Sequence, residues 1–250
     1  MIKLKNDKEI LTMKEGGRRL RLIVKELKRI IKPGITTLEI DQEAEKLIKE
    51  FKGEPSFKKV KGYFFSTCLP INEQIVHTLP SGRVIKEGDV LTLDIGFYYQ
   101  GYHTDFAETW IVGENEDKEI KKFLDTGKRA LYKAIDQAKV GNYLGQISQI
   151  IQKEIEGNGY FIIKELTGHG IGKKLHEDPW VFNYVNMPVE RTIKIKPGLT
   201  IAIEVIYSMG TEGMRREKKD PWSMVTDDGS LAACFEHTIA VLENKTLILT

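Results

Sequence analysis

Apolar residues recur at Ile10, Leu11, Leu20, Ile23, Val24, Leu27, Ile30 and Ile31, three and four positions apart. That spacing puts one apolar stripe on a helix over 8–31, closed by Lys32-Pro33-Gly34. A second helix follows, capped by Thr37, with Leu38, Ile40, Ala44, Leu47 and Ile48 inside and Gly53 beyond its end. The period then changes. Residues 54–112 are rich in β-branched and aromatic side chains broken by glycine and proline, which predicts a run of strands. Helical spacing returns over 117–138 and 142–157, and strand signals run from 160 to the end.

The order helix, helix, strands therefore occurs twice. Lys32-Pro33-Gly34-Ile35-Thr36-Thr37-Leu38-Glu39-Ile40 matches Lys139-Val140-Gly141-Asn142-Tyr143-Leu144-Gly145-Gln146-Ile147, at an offset of 107. Ile85-Lys86-Glu87-Gly88-Asp89-Val90-Leu91-Thr92-Leu93-Asp94 matches Ile195-Lys196-Pro197-Gly198-Leu199-Thr200-Ile201-Ala202-Ile203-Glu204, at an offset of 110. The near-equal offsets suggest an internal duplication, about 32–112 and 139–242, inside one domain spanning 1–250. It superposes Asp94 on Glu204.

Composition narrows the class. With 250 residues, 41% hydrophobic and 30% charged, the chain is neither disordered nor fibrous. The net charge of +2 is interspersed, with lysine-rich 3–32 and 118–133 reading as wet helix faces, so no nucleic-acid partner is expected. No apolar run approaches the roughly 18–20 residues of a bilayer span, and Met1 to Asp7 has no apolar signal core. A cytoplasmic chain is expected. Cys68 and Cys234 are then free buried thiols, and they cannot form a tetrathiolate metal site.

The acids carry the chemistry. Asp94 lies among Leu91, Leu93 and Ile95; Glu204 lies among Ile201, Ile203, Val205 and Ile206. An acid in an apolar strand costs several kcal/mol, roughly, unless paired or bound to a cation. A hairpin turn at Tyr98-Tyr99-Gln100-Gly101, with a two-residue loop at Tyr99-Gln100, sets Asp94 directly opposite Asp105. Such a pair shares a proton or flanks a metal. His169 sits between glycines in Thr167-Gly168-His169-Gly170-Ile171-Gly172, which suits a histidine held at a site. Glu236 precedes His237 beside another apolar strand, and His103 reads as an ordinary strand histidine. The glycine run lacks the Lys-Ser/Thr of a phosphate loop, and no Gly-x-Ser-x-Gly elbow is present. Asp94, Asp105, His169, Glu204 and Glu236 make four carboxylates and one imidazole, a set whose charge balances two divalent ions. Oxygen-rich ligation with one histidine suits Mn, Fe or Co and admits Zn.

These residues, in this order, resemble the methionine aminopeptidases of the short, bacterial-like type I. The resemblance spans essentially the whole chain. It is most specific at Asp94-Ile95-Gly96 to Asp105, at Gly168-His169-Gly170-Ile171-Gly172 through His176-Glu177-Asp178-Pro179, and at Asp227-Asp228-Gly229-Ser230-Leu231 leading into Phe235-Glu236-His237-Thr238. It implies an α+β pita-bread fold: two pseudo-symmetric halves of helices packed on a curved antiparallel sheet. It implies removal of the initiator methionine from the amino terminus of nascent polypeptides near the ribosome, by a monomer. By the same resemblance Asp94, Asp105, His169, Glu204 and Glu236 hold two divalent ions, with Asp105 and Glu236 bridging. Glu204 also handles the proton of the attacking water. His77 and His176 bind substrate and the developing oxyanion, and Tyr63, Cys68 and Trp222 line the methionine pocket. The chain departs from the family at Val60, Thr78, Leu175, Val205 and Cys234. Val60 and Leu175 replace aromatics, so Phe64 or Phe65 is expected to compensate, and Thr78 is expected to crowd the second substrate residue beside His77. Two other readings share much of this sequence: an aminopeptidase P or prolidase, and a pita-bread binding module without a metal. About 50 residues before the first strands are few for the extra domain of the former, and the intact ligand set disfavours the latter. Only 28 positions separate His176 from Glu204, which leaves no room for a type II insertion.

Overall fold

The computed structural model describes residues 2–218 and 220–250. Met1, the first residue of the stretch read for a leader, lies outside them. Four α-helices form among the described residues: α1 (Asp7–Ile30), α2 (Thr37–Glu50), α3 (Lys118–Ile135) and α4 (Leu144–Glu156). The second is capped by Thr36 rather than Thr37. Glu39 lies three residues after Thr36, and the two close a reciprocal capping box. The Thr37 hydroxyl instead donates to the Ser81 carbonyl at 3.0 Å.

The strands are β1 (Glu54–Pro55), β2 (Thr67–Cys68), β3 (Gln74–Val76), β4 (Val90–Tyr99), β5 (Tyr102–Ile111), β6 (Phe161–Ile162), β7 (Thr167–Gly170), β8 (Glu177–Phe182), β9 (Thr200–Ser208), β10 (Met214–Arg216), β11 (Met224–Thr226), β12 (Ala232–Val241) and β13 (Thr246–Ile248). The main sheet runs β1-β4-β5-β12-β9-β7-β8, and β10-β11-β3 form a smaller sheet. All pairings among the described strands are antiparallel.

Alternation along each strand separates two faces. Leu91, Leu93, Ile95 and Phe97 of β4 join α1 and α2 in one core. Ile201, Ile203, Val205 and Tyr207 of β9, with Phe235 of β12, join α3 and α4 in another. The positions between them, Asp94, Glu204 and Glu236, point to the opposite face. There Ile206 and Cys234 pack with Ile75 and Val76 of β3, while Met214 and Met224 flank them. The two halves repeat several local bonds. Gly34 and Gly141 both have positive φ and donate to the carbonyls of Ile85 and Ile195. Gly88 and Gly198 likewise donate to Val112 and Val241.

The β4–β5 hairpin differs from its expected register. Gln100 and Gly101, not Tyr99 and Gln100, form the loop, with φ of 47° and 93°. Two successive left-handed residues make the mirror-type turn that matches strand twist, and glycine adopts the second at no steric cost. Asp94 is therefore opposite Ala107, and Asp105 is opposite Gly96. A shift of two residues preserves the face, so the carboxylates become diagonal neighbours rather than direct partners.

Candidate metal centre and substrate pocket

Register alone gathers the five acid and imidazole positions. Cys68, Asp94, Ala107, Glu236 and Glu204 form one row across β2, β4, β5, β12 and β9. Continued in the same register, the next row holds Gly96, Asp105, Thr238, Ala202 and His169. Small residues alternate with the functional ones and leave room between them. Gly168 and Gly170 do the same for β7. A Cβ on Gly168 would lie 2.4 Å from the Ala202 carbonyl oxygen, and one on Gly170 would lie 2.2 Å from that of Asp178. Glycine at 168 lets β7 approach β9, and glycine at 170 lets it approach β8, which together fix His169 between them.

Donor atoms of Asp105, His169 and Glu236 all lie within 4.8 Å of one another, and these three side chains are buried. His169 Nε2 is 3.3 Å from Glu204 Oε1. On its other edge His169 Nδ1 is 2.9 Å from the Gly170 carbonyl, which can only accept. That bond keeps the proton on Nδ1 and leaves the Nε2 lone pair facing Glu204. Burial lowers the His169 pKa to about 3, with His176 adding to the effect, so the ring is neutral at pH 7. Asp94 also faces this group.

The carboxylates show what the site lacks when only protein surrounds it. Burial raises Asp105 to about 7. Glu204 is driven well up by burial and then by Asp105. Glu236 and Asp94 are driven up by burial and by their neighbouring carboxylates. Glu236 Oε1 is buried without a hydrogen-bond partner among the described residues. Four crowded carboxylates, an orphaned oxygen and a neutral imidazole with its lone pair turned inward are the donor set of divalent cations. The residues therefore fit the metal that the sequence implies.

A cavity of about 140 Å³ opens from these residues. His77 and His176 stand at its edge, and the His169 and His176 rings meet edge-on at 4.4 Å. Its other end is apolar. Tyr63 and Trp222 meet edge-on at 5.2 Å, and the Tyr63 hydroxyl donates to the Thr67 carbonyl at 2.7 Å and lies 3.0 Å from Cys68 Sγ. Val60 and Leu175 complete this wall. Every site residue expected from the sequence lines this one cavity, as does Cys234; both cysteines are free and buried.

Two details differ from expectation. Phe64 is 77% exposed, and Phe65 packs against Tyr63 without lining the cavity. The third aromatic is Phe57, edge-on to Tyr63 at 6.2 Å. The short 3-10 turn Phe57–Lys59 delivers it, and a Phe-Lys-Lys triplet carries no pocket signal in one dimension. Thr78 does not line this cavity. It is buried beside Leu69 and Pro80 in a neighbouring depression, because consecutive residues at 77 and 78 point apart.

Residues 12–243 match the model of metallopeptidase family M24. Over its whole length the chain is 42% identical to methionine aminopeptidase 1 of Bacillus subtilis (strain 168), covering 99% of that protein. The chain belongs to the methionine aminopeptidases of metallopeptidase family M24. It is also 40% identical to the methionine aminopeptidase of Clostridium acetobutylicum, covering 99% of that protein. The crystal structure of methionine aminopeptidase from Thermotoga maritima superposes with a TM-score of 0.95 at 38% identity, covering 100% of this chain and 99% of that one. The architecture is the pita-bread fold. A prolidase from Pyrococcus furiosus shares that fold at a TM-score of 0.79 and 22% identity, over 99% of this chain and 65% of that one. The family uses divalent metal. No described helix is long and apolar enough to cross a membrane.

Proposed function

We propose that the chain is a metal-dependent aminopeptidase that removes the initiator methionine from new polypeptides. The observation that carries this reading is one cavity lined both by a cluster of four carboxylates and a histidine and by the aromatic side chains Phe57, Tyr63 and Trp222. Asp94, Asp105, His169, Glu204 and Glu236 would hold two divalent ions, with Mn, Fe, Co and Zn all compatible with the donors. Divalent ions bound there would supply a nucleophile at neutral pH and polarisation of the scissile carbonyl.

The chain's own residues do the rest. Tyr63, Cys68, Trp222 and Phe57 enclose the methionine side chain. An unbranched thioether beside an aromatic ring gains about 0.3–1.5 kcal/mol, which favours methionine over shorter apolar residues. Glu204 takes the proton released when water adds to the carbonyl carbon, and returns it to the departing amine nitrogen as the carbon–nitrogen bond breaks. His77 and His176, on the cavity edge, donate hydrogen bonds to the peptide and to the oxyanion that forms. The φ of 57° at His77 is a left-handed backbone uncommon outside glycine, and it aims the ring at the cavity rather than along β3.

We read residues 1–250 as one catalytic unit, acting as a monomer in the cytoplasm on chains near the ribosome. The full-length likeness to bacterial methionine aminopeptidases supports the single catalytic unit. A panel of Met-Ala-Ser, Leu-Ala-Ser and Arg-Pro-Pro, assayed with Mn²⁺ or Co²⁺, tests it. Release of methionine from the first is expected to dominate. Cleavage before proline with no methionine release would point instead to an aminopeptidase P.

A further inference from the structure

The five ligand positions are divided between two strand blocks. Asp94 and Asp105 lie on β4 and β5, which pair over ten positions; Glu204 and Glu236 lie on β9 and β12, which pair over nine. His169 on β7 belongs to the second block. Between the blocks, β5 and β12 pair at two positions only, Ala107 with Glu236 and Phe106 with His237. Any cation held by all five residues must sit across this short seam.

In the same register, the flanking positions that would exchange backbone hydrogen bonds are 109 with 234, two residues on from the 107–236 pair, and 105 with 238. Direct backbone pairing is replaced at both by a threonine hydroxyl. Thr109 Oγ1 donates to the Cys234 carbonyl at 2.8 Å and accepts from the Cys234 N–H at 2.9 Å. Thr238 Oγ1 donates to the Asp105 carbonyl at 2.9 Å and accepts from the Asp105 N–H at 2.8 Å. One threonine comes from each block, and each grips the backbone of the other. Both are buried. The strands are thus joined at the centre and held a side chain apart at both ends. Thr238 acts on the backbone of Asp105 itself, while Thr109 acts two residues from Glu236.

Resting on the metal reading above, we infer that Thr238 and Thr109 are positioning residues that set the separation of the two ligand blocks. They touch neither substrate nor cation. A regular ladder at these positions would draw the strands to about 4.8 Å. A missing hydroxyl would leave a buried N–H and C=O unpaired, which forces the seam to close or to flood. Either change misplaces Asp105 against Glu236 and His169. Partners of this kind affect metal affinity by roughly 10–100-fold in metalloproteins.

The test is calorimetric titration of chelator-treated protein with Mn²⁺ alone. Thr238→Val keeps the shape and removes the hydroxyl; Thr238→Ser keeps the hydroxyl. Thr126→Val removes a buried hydroxyl from α3, which donates to the Lys122 carbonyl away from the sheet. Thr238→Val is expected to weaken Mn²⁺ binding about tenfold or more. Thr238→Ser should stay near the wild type, and Thr126→Val should lose stability without losing affinity. Thr109→Val tests the mirror position independently and should also weaken binding, including where Thr238→Val fails to fold. Wild-type affinity in both valine variants at the seam, or equal losses in Thr126→Val, overturns the inference. Wild-type protein that binds no Mn²⁺ defeats the metal reading itself, a separate result.

Discussion

The buried carboxylates make a prediction about protein stripped of metal. Burial raises folded Asp105 to about 7 from an ordinary value of 3.8. Between those values the folded state binds a proton that the unfolded state does not. Asp105 therefore contributes stability that is fully present below about pH 4 and is lost as pH rises through 7. From pH 5 to pH 7 that loss is roughly two pH units at 1.36 kcal/mol each, about 3 kcal/mol. Asp105→Asn removes the titration while keeping similar size. The histidines held neutral by burial titrate alike in both proteins and cancel in the difference, whereas removing the Asp105 charge also relieves Glu204, Glu236 and Asp94, which favours the variant in the same direction. In chelator, the variant should gain on the wild type as pH rises from 5 to 8, by roughly 6–12 °C in Tm for a chain of this length. Excess Mn²⁺ should reverse the order at pH 8, because ligands bind metal only when deprotonated and binding stabilises the folded state. Thermal melts at four pH values, with chelator and with Mn²⁺, read both effects. A Tm difference that stays constant with pH in chelator would refute the argument that an uncompensated charge is buried at Asp105.

Other perturbations separate the roles. His169→Ala should weaken binding of Mn²⁺, whereas His77→Ala should keep the metal and lose turnover; equal metal loss in both would show the assignment is wrong. Phe57→Leu should lower the methionine-to-leucine ratio of kcat/KM, and Val60→Tyr should raise it. Each change should be less than about tenfold, since one sulfur–aromatic contact is worth about a kcal/mol. Lys5 and Glu177 form a buried ion pair at 2.7 Å. Lys5→Met should destabilise the protein to denaturant, because Glu177 loses its counter-ion and keeps only the Lys174 N–H as a partner among the described residues. Lys5→Met combined with Glu177→Gln should recover part of that loss.

The helices and the site chemistry were legible because they rest on local signals. The apolar stripe over 8–31 became α1, and acids flanked by apolar strand residues became the carboxylate cluster. Glycines around His169 marked a close approach that the backbone then showed against Ala202 and Asp178. Errors arose where two choices differ by one or two residues. Thr36 and Thr37 are both plausible caps, and only Glu39 three residues on decides for Thr36. Tyr99-Gln100 and Gln100-Gly101 are both short loops, and the second wins because glycine tolerates positive φ. Phe57 and the threonine seam stayed hidden for a different reason. Both depend on partners far along the chain: Thr238 meets Asp105 133 residues away, and no local pattern encodes that meeting.

Methionine release is expected to depend on divalent metal held in this cavity. Chelator-treated wild-type protein should be titrated with Mn²⁺ while free methionine from Met-Ala-Ser is followed in the same solution. No release is expected before metal is added, and release should rise with bound Mn²⁺ and be lost again in excess chelator. Methionine release that continues unchanged in chelator, with no Mn²⁺ bound, would contradict that dependence.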